Sequence, residues 1–170
     1  MHTKGLTLLE LLLVLAIASI LSLAALPPIH RTIGALRASD TAYAFFEAVQ
    51  LARSTAVSRN RQVVLAPLGS WSNGWEVFVD QDADGGISAD EDVLTRVHAS
   101  AGVQVKMAAT SNSAIVYRGT GASHTINGAF LAGTIRICAE SGDAPGKAIV
   151  IRSGGRARMD NLTIEECAAL

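Results

Sequence analysis

Two short stretches carry the residues whose types and spacing could bind ions. The first is an acidic run in which Asp80, Asp82, Asp84 and Glu91 surround the turn residue Gly85. Carboxylates at alternating positions, a glycine that permits a sharp turn and a final glutamate match the spacing of a calcium loop. The flanking segments read as strands, whereas that kind of calcium loop joins two helices. The run is therefore either a calcium site or a solvated hairpin turn, and the sequence calls for no other cofactor.

The second stretch is a basic window from 147 to 158 that contains no carboxylate. Its two adjacent glycines predict a turn, after which Arg156 and Arg158 alternate in an extended segment and point to the same side. Each guanidinium can fork onto a phosphate, and glycine lets a backbone approach closely. The residues predicted to contact phosphate groups are Lys147, Arg152, Gly155, Arg156 and Arg158.

The same window has a simpler interpretation, a β-turn whose arginines are solvated or paired with Asp160 or Glu165. The net charge of −1 and the pI near 6.4 argue against a general polyelectrolyte binder, so any affinity for nucleic acid has to come from a local patch. Catalysis finds no support, because no nucleophile or phosphate-loop motif is present. The four histidines are scattered without ligand spacing: His2, His30, His98 and His124.

The first thirty residues contain the element that must position these stretches. Positions 6–26 are almost entirely apolar, and as a helix they would be about 31 Å long, close to a hydrocarbon core of about 30 Å. They therefore predict a transmembrane helix, with the N-terminus cytoplasmic and the remainder outside. Glu10 is a carboxylate inside this run, which marks either a functional residue or one stabilised by the helix N-terminus near the interface.

Cys138 and Cys167 are the only cysteines. On this topology both lie outside the cytoplasm, where disulfides persist, and a bridge between them would close a loop of nearly thirty residues. Two free buried thiols or a metal pair are the alternatives. We expect the disulfide.

The N-terminal segment resembles type IV prepilins in Gly5, in the run from Leu6 to Glu10, in the long apolar stretch and in Pro27. The resemblance implies cleavage after Gly5 by prepilin peptidase, methylation of Leu6, and a role for Glu10 in setting the register between filament subunits. It also implies an inner-membrane precursor with a periplasmic head, which joins other major and minor pilins in a surface pilus. Leu6 departs from the phenylalanine that is usual there.

Hydrophobic periodicity predicts that the helix resumes after Pro28 and ends near Arg59. Its apolar stripe is Ile29, Ile33, Leu36, Tyr43, Phe46 and Val49, extended by Ala52 and Ala56. Short β-rich runs follow, separated by glycine and serine clusters. They are 62–66, 75–79, 93–97, 103–106, 114–117, 134–137 and 148–151, with a long loop over 118–133 that contains a weak strand near Phe130.

The predicted fold class is therefore α+β, a long N-terminal helix packed on an antiparallel β-sandwich-like head. Its segments are a leader over 1–5, a transmembrane helix over 6–26, a periplasmic half-helix over 27–60 and the head over 61–170. The runs 74–80, 134–138, 148–151 and 155–156 resemble the GspH/FimT branch of pilin-like proteins.

The tetrad from Gly155 to Arg158 resembles the G-R-x-R motif of FimT-type minor pilins, where it is associated with DNA binding in natural transformation. The resemblance implies a minor pilin of a type IV pilus that binds DNA. A minor pilin that only primes assembly, a type II secretion pseudopilin and a calcium-gated adhesin are the alternatives. Trp71 and Trp75 could stack on bases, although a role in the core is the simpler expectation.

Overall fold

The computed structural model describes residues 7–109 and 114–169, without the side chains of 23–28 and 109. The chain divides into two units, residues 1–33 and 34–170. The first unit contains the start of helix α1, Leu8–Arg59, whose end near Arg59 confirms the prediction. Thr7 begins this helix, because its hydroxyl accepts a hydrogen bond from the Glu10 amide at 3.2 Å.

The large apolar side chains of α1 from Leu8 to Leu21 are exposed, each by at least half. Within the described residues, no helix is long and apolar enough to cross a membrane, so the structure does not support the predicted span over 6–26. The predicted processing site, Gly5 and Leu6, lies outside the described residues.

In the second unit α1 packs on two antiparallel sheets. The first sheet has the order β3-β2-β1-β5-β6 and the second has the order β4-β7-β8-β9. The strands of the first are β1 Gln62–Leu68, β2 Ser70–Asp80, β3 Asp92–His98, β5 Ile115–Tyr117 and β6 Ser123–His124. Those of the second are β4 Val103–Ala109, β7 Gly133–Ala139, β8 Gly146–Ile151 and β9 Ala157–Leu162, and a short helix α2, Ile164–Ala168, follows. The predicted fold class is confirmed.

One hydrophobic core joins this part of α1 to both sheets. Phe45 meets Trp71 and Trp75 edge to face, with ring centroids 5.5 and 4.9 Å apart. Both tryptophans are buried, which confirms the core role and removes them as candidates for stacking on bases.

The predicted apolar stripe of α1 is wrong in its first half. Ile29, Ile33, Leu36 and Tyr43 are exposed, whereas the buried face runs through Ala38, Ala42, Phe45, Val49, Ala52 and Ala56. These residues recur every three or four positions, as a helical face requires. Four of the six are alanines, whose small side chains let the helix approach the sheets closely, and Phe45 supplies the large side chain that packs between them.

Candidate nucleic-acid interface

The basic window forms the hairpin between β8 and β9. Ile151 pairs with Ala157 at its end, and the Arg152 amide donates to the Arg156 carbonyl at 3.0 Å. Within the turn, the Gly155 amide donates to the Arg152 carbonyl at 2.7 Å. The turn predicted from the two glycines is therefore present, and it is closed by backbone hydrogen bonds.

Three arginines of this hairpin lie on one face of the four-stranded sheet. Ile135, Ile137 and Ile149 point into the core, so the residues that alternate with them point away from it. We call this side the outer face. Arg158 pairs with Val150, and both point to the outer face. Arg152 and Arg156 are each two residues away from this pair, so their side chains point to the same face. All three are exposed.

Lys147 does not belong to this group. It points to the same side of β8 as Ile149, which is the core side, whereas Arg158 on β9 lies on the outer face. Its ammonium donates to the Asn161 side-chain oxygen at 2.7 Å and lies 5.8 Å from the centre of the Tyr43 ring on α1. The structure therefore separates Lys147 from the three arginines with which it was predicted to contact DNA, because its side chain lies on the opposite face of the sheet.

Gly155 is buried, so it does not offer its backbone to a ligand as predicted. Its φ is +76°, and a Cβ there would lie 1.9 Å from the Gly121 carbonyl oxygen and 3.0 Å from the Tyr117 ring. That carbonyl also accepts a hydrogen bond from Arg53 Nε of α1 at 3.1 Å. The glycine therefore lets the arginine-bearing turn dock against a turn that α1 holds in place.

The surroundings of this docking site are largely apolar. The Tyr117 hydroxyl is buried without a hydrogen-bond partner among the described residues. Burial raises the pKa of the Tyr117 phenol well above its usual range, and the nearby Arg53 guanidinium offsets part of that rise. Ser123 adds one hydrogen bond, because its hydroxyl donates to the Arg152 carbonyl at 3.1 Å.

Arg158 has an acidic partner, as the simpler interpretation of the window allowed. Its guanidinium lies 3.0 Å from an Asp160 carboxylate oxygen, and both side chains are substantially exposed. In the described part of the chain, neither Arg152 nor Arg156 forms an ion pair through its side chain, and Glu165 pairs with none of the three. The hairpin thus presents two unpaired guanidiniums and one held in a weak surface pair.

The acidic loop between β2 and β3 folds around its own backbone amides. Buried Asp80 accepts from the amides of Ala83 and Gly85 at 2.7 and 3.0 Å, and from the Gln62 side chain at 2.7 Å. Among the described residues, Asp80, Asp82 and Asp84 offer oxygens within 4.8 Å of one another. A calcium site at this loop stays a prediction.

Glu91, the fourth predicted calcium ligand, is outside that group. Its carboxylate instead accepts from the amides of Gln81 and Ser88, both at 2.9 Å. These bonds close the base of the loop beside β3, so the hydrogen bonds alone account for the positions of its carboxylates.

Cys138 and Cys167 are joined by a disulfide, as expected, with their Cα atoms 5.7 Å apart. The bond fastens α2 to β7. A Cβ at Gly146 would lie 2.6 and 2.7 Å from the two sulfurs, so glycine is required beside the bridge. Both cysteines are buried with Ala148 and Leu162 in a small apolar cluster.

Comparison with known families identifies the chain. The family model described as type II transport protein GspH matches residues 41–155. The chain belongs to the GspH family. Residues 1–26 also match the prokaryotic N-terminal methylation motif, which is the segment that resembled type IV prepilins. No curated protein matches the sequence.

Solved structures place this GspH-family chain in the same fold as two pilin-like proteins. The type IV minor pilin FimU of Pseudomonas aeruginosa has a TM-score of 0.58 and 22% identity over 72% of this chain and 87% of that one. The minor pseudopilin EpsH of the Vibrio cholerae type 2 secretion system has a TM-score of 0.57 and 12% identity over 73% and 96%. The resemblance to the GspH/FimT branch is confirmed, and the chain is a pilin-like subunit of the type IV pilus and type II secretion class.

Proposed function

We propose that this chain is a minor pilin of a type IV pilus and that it binds DNA without sequence preference through the β8–β9 hairpin. The observation that carries the proposal is the exposure of Arg152, Arg156 and Arg158 on one side of a turn that Gly155 fixes in place. Guanidiniums so placed can meet successive phosphates, and phosphate contacts position a protein on DNA without reading its sequence.

The charge of the whole chain supports a local rather than a diffuse interface. With a net charge of −1, the surface as a whole does not attract a polyanion. The two tryptophans are buried, so they add no stacking on bases. Binding should therefore be almost entirely electrostatic, and three phosphate contacts on duplex DNA correspond to a salt slope of about −2.7.

The variant Arg156→Gln, Arg158→Gln tests this function. We expect it to lose most of the affinity for a random-sequence duplex, because two of the three cations on the hairpin are gone, and to reduce the magnitude of the salt slope by about 1.8. Fluorescence anisotropy with a labelled duplex at several salt concentrations measures both quantities.

The control is Arg37→Gln, which removes a positive charge from an exposed arginine of α1. Its guanidinium donates to the Ala101 carbonyl at 3.5 Å, and residue 37 is about 24 Å along the helix from Arg53, which contacts the turn beside the hairpin. It should bind nearly as tightly as the wild type. Equal affinity and equal salt slope in wild type and in the hairpin variant would show that DNA does not bind at this hairpin.

A second candidate function is a type II secretion pseudopilin, which the family description and the fold shared with EpsH favour. A pilin that primes assembly without DNA binding has the same fold. Deleting the gene and scoring pili, DNA uptake and protein secretion separately distinguishes the three. Complementation with the hairpin variant should restore pili but not DNA uptake if DNA binding is the function.

We also propose that the precursor is cleaved after Gly5 and methylated at Leu6, which the match to the methylation motif supports. The exposed apolar side chains between Leu8 and Leu21 need an apolar environment. The inner membrane would supply it before assembly, and neighbouring pilin helices would supply it afterwards, with Glu10 setting their register.

The mature N-terminus is expected to be N-methylated Leu6. Intact mass and N-terminal sequencing of the protein purified from its own cells measure this directly. A chain that still begins at Met1, or one that begins beyond position 26, would rule out processing as a pilin.

A further inference from the structure

The strand register brings one more arginine to the outer face. Arg136 on β7 pairs with Ala148 on β8, which in turn pairs with Asp160 on β9. Strands lie about 4.8 Å apart and alternate residues about 7 Å apart along a strand, so Arg136 is about 12 Å from Arg158 between Cα atoms. Both side chains are long enough to shorten that gap.

Arg136 is available for a ligand. It is partly exposed, and it forms no ion pair or hydrogen bond through its side chain with any described residue. On the neighbouring strand β4, Lys106 lies directly opposite it. The cations of the outer face therefore extend from the β8–β9 hairpin across two further strands, β7 and β4.

The charge of the outer face changes sign toward its other end. Cys138 points to the same side as Arg136, two residues further along β7, and its disulfide fastens α2 there. The exposed carboxylates of Glu165 and Glu166 belong to this helix. A polyanion that starts at the turn is thus drawn toward Arg136 and is repelled beyond it.

Asp160 is the one carboxylate of β9 on this face. It lies in the same cross-strand row as Arg136, and it pairs with Arg158 at 3.0 Å. Exposed ion pairs of this kind are weak, so a phosphate can replace the carboxylate as the partner of Arg158. Before DNA binds, Asp160 pairs with the Arg158 guanidinium, and its negative charge repels an approaching phosphate.

We propose that DNA bound at the hairpin continues across the outer face to Arg136, and that Asp160 competes with its phosphates for Arg158. This inference rests on the proposed function and deepens it. It makes Arg136 a binding residue and Asp160 a residue that limits affinity.

The test uses the full chain purified in detergent and a labelled random-sequence duplex of 30 base pairs. Arg136→Gln should weaken binding about three- to tenfold and make the salt slope shallower by about 0.9, as expected for one lost phosphate contact. Arg136→Lys should keep the wild-type slope, because the positive charge is retained.

Asp160→Asn should tighten binding about three- to tenfold, since it frees Arg158 and removes a repulsive charge. Its matched control is Asp92→Asn, which breaks the exposed pair with Arg59, 2.6 Å long, on the five-stranded sheet. Arg37→Gln is again the control for the loss of one cation. Both controls should stay within about twofold of the wild type, because neither removed charge lies on the outer face.

Wild-type affinity in Arg136→Gln, with binding lost in the hairpin double variant, overturns the path to Arg136 and leaves the proposed function intact. Asp160→Asn that binds no more tightly than Asp92→Asn overturns the competition. A wild-type chain that does not bind the duplex overturns both the proposed function and this inference.

Discussion

Replacing Gly155 with alanine should unfold the second unit at a temperature about 10 °C lower, although no charge changes. The residue has a φ of +76°, which costs an alanine roughly 1–2 kcal/mol. The added Cβ would also lie 1.9 Å from the Gly121 carbonyl oxygen, a backbone atom that cannot rotate away. Together we expect a loss of about 3 kcal/mol, which corresponds to that shift for a domain of this size.

The neighbouring residue supplies the control. A Cβ at Gly154 meets nothing within 4 Å, and its φ is outside the left-handed range. Gly154→Ala should therefore leave the unfolding temperature unchanged or raise it slightly, because alanine restricts the unfolded chain. Thermal unfolding followed by circular dichroism compares the two variants. Equal unfolding temperatures would mean that the turn does not dock against Gly121.

The two glycine variants also show whether Gly155 contacts DNA itself or only positions the arginines that do. If the hairpin binds DNA, Gly155→Ala should weaken binding with all three arginines still present, because the turn that aligns them is displaced. Gly154→Ala should bind normally. In that case Gly155 contributes to binding by positioning Arg156 and Arg158. It does not contact the phosphate itself, because it is buried.

Sequence periodicity predicted the positions of most secondary-structure elements, although it did not predict which face of α1 is buried. The end of α1 and seven of the nine strands follow from apolar periodicity and β-rich runs. Strand β9 was not identified as a strand because Ala157–Leu162 contains no β-branched residue. Its pairing with β8 is imposed by tertiary structure, a case in which context overrides propensity.

Helix α2 was missed for a different reason. Five residues are too few to form a stable helix alone, so no periodicity can reveal it. A local signal was nevertheless present, since Thr163 and Glu166 have the spacing of a capping box. In the structure the Glu166 amide donates to the Thr163 hydroxyl, and the Thr163 amide donates to the Glu166 carboxylate.

The candidate site was predicted in part. The turn and the common side of Arg156 and Arg158 follow from sequence, but Lys147 was misplaced although strand alternation sets it apart from them. Arg136 could not be found, because only the register of β7 against β8 and β9 brings it near. Sequence gives the side of a strand that a residue occupies, whereas neighbours across strands come from pairing.

Removing the disulfide with Cys138→Ala, Cys167→Ala should lower the free energy of unfolding by about 3.5 kcal/mol. The bridge closes a loop with a sequence separation of 29, and the chain-entropy model gives this value for such a loop. Buried sulfurs leave a small cavity beside Ala148 and Leu162, which adds to the loss. Chemical denaturation, with wild type measured in oxidising buffer, tests the number.

The effect of this variant should be largest in α2. Without the bridge, the helix is held by its capping box and by the burial of residue 167 alone, so its amides should exchange with solvent faster than those of β8. Thr163→Ala is the matched control, because it breaks the cap, keeps the bridge and costs only about 1 kcal/mol. If Thr163→Ala destabilises the chain as much as the double cysteine variant does, the cap rather than the bridge fastens α2 to the sheet. Full protection of α2 in the cysteine variant would likewise show that apolar packing alone holds the C-terminal segment against β7.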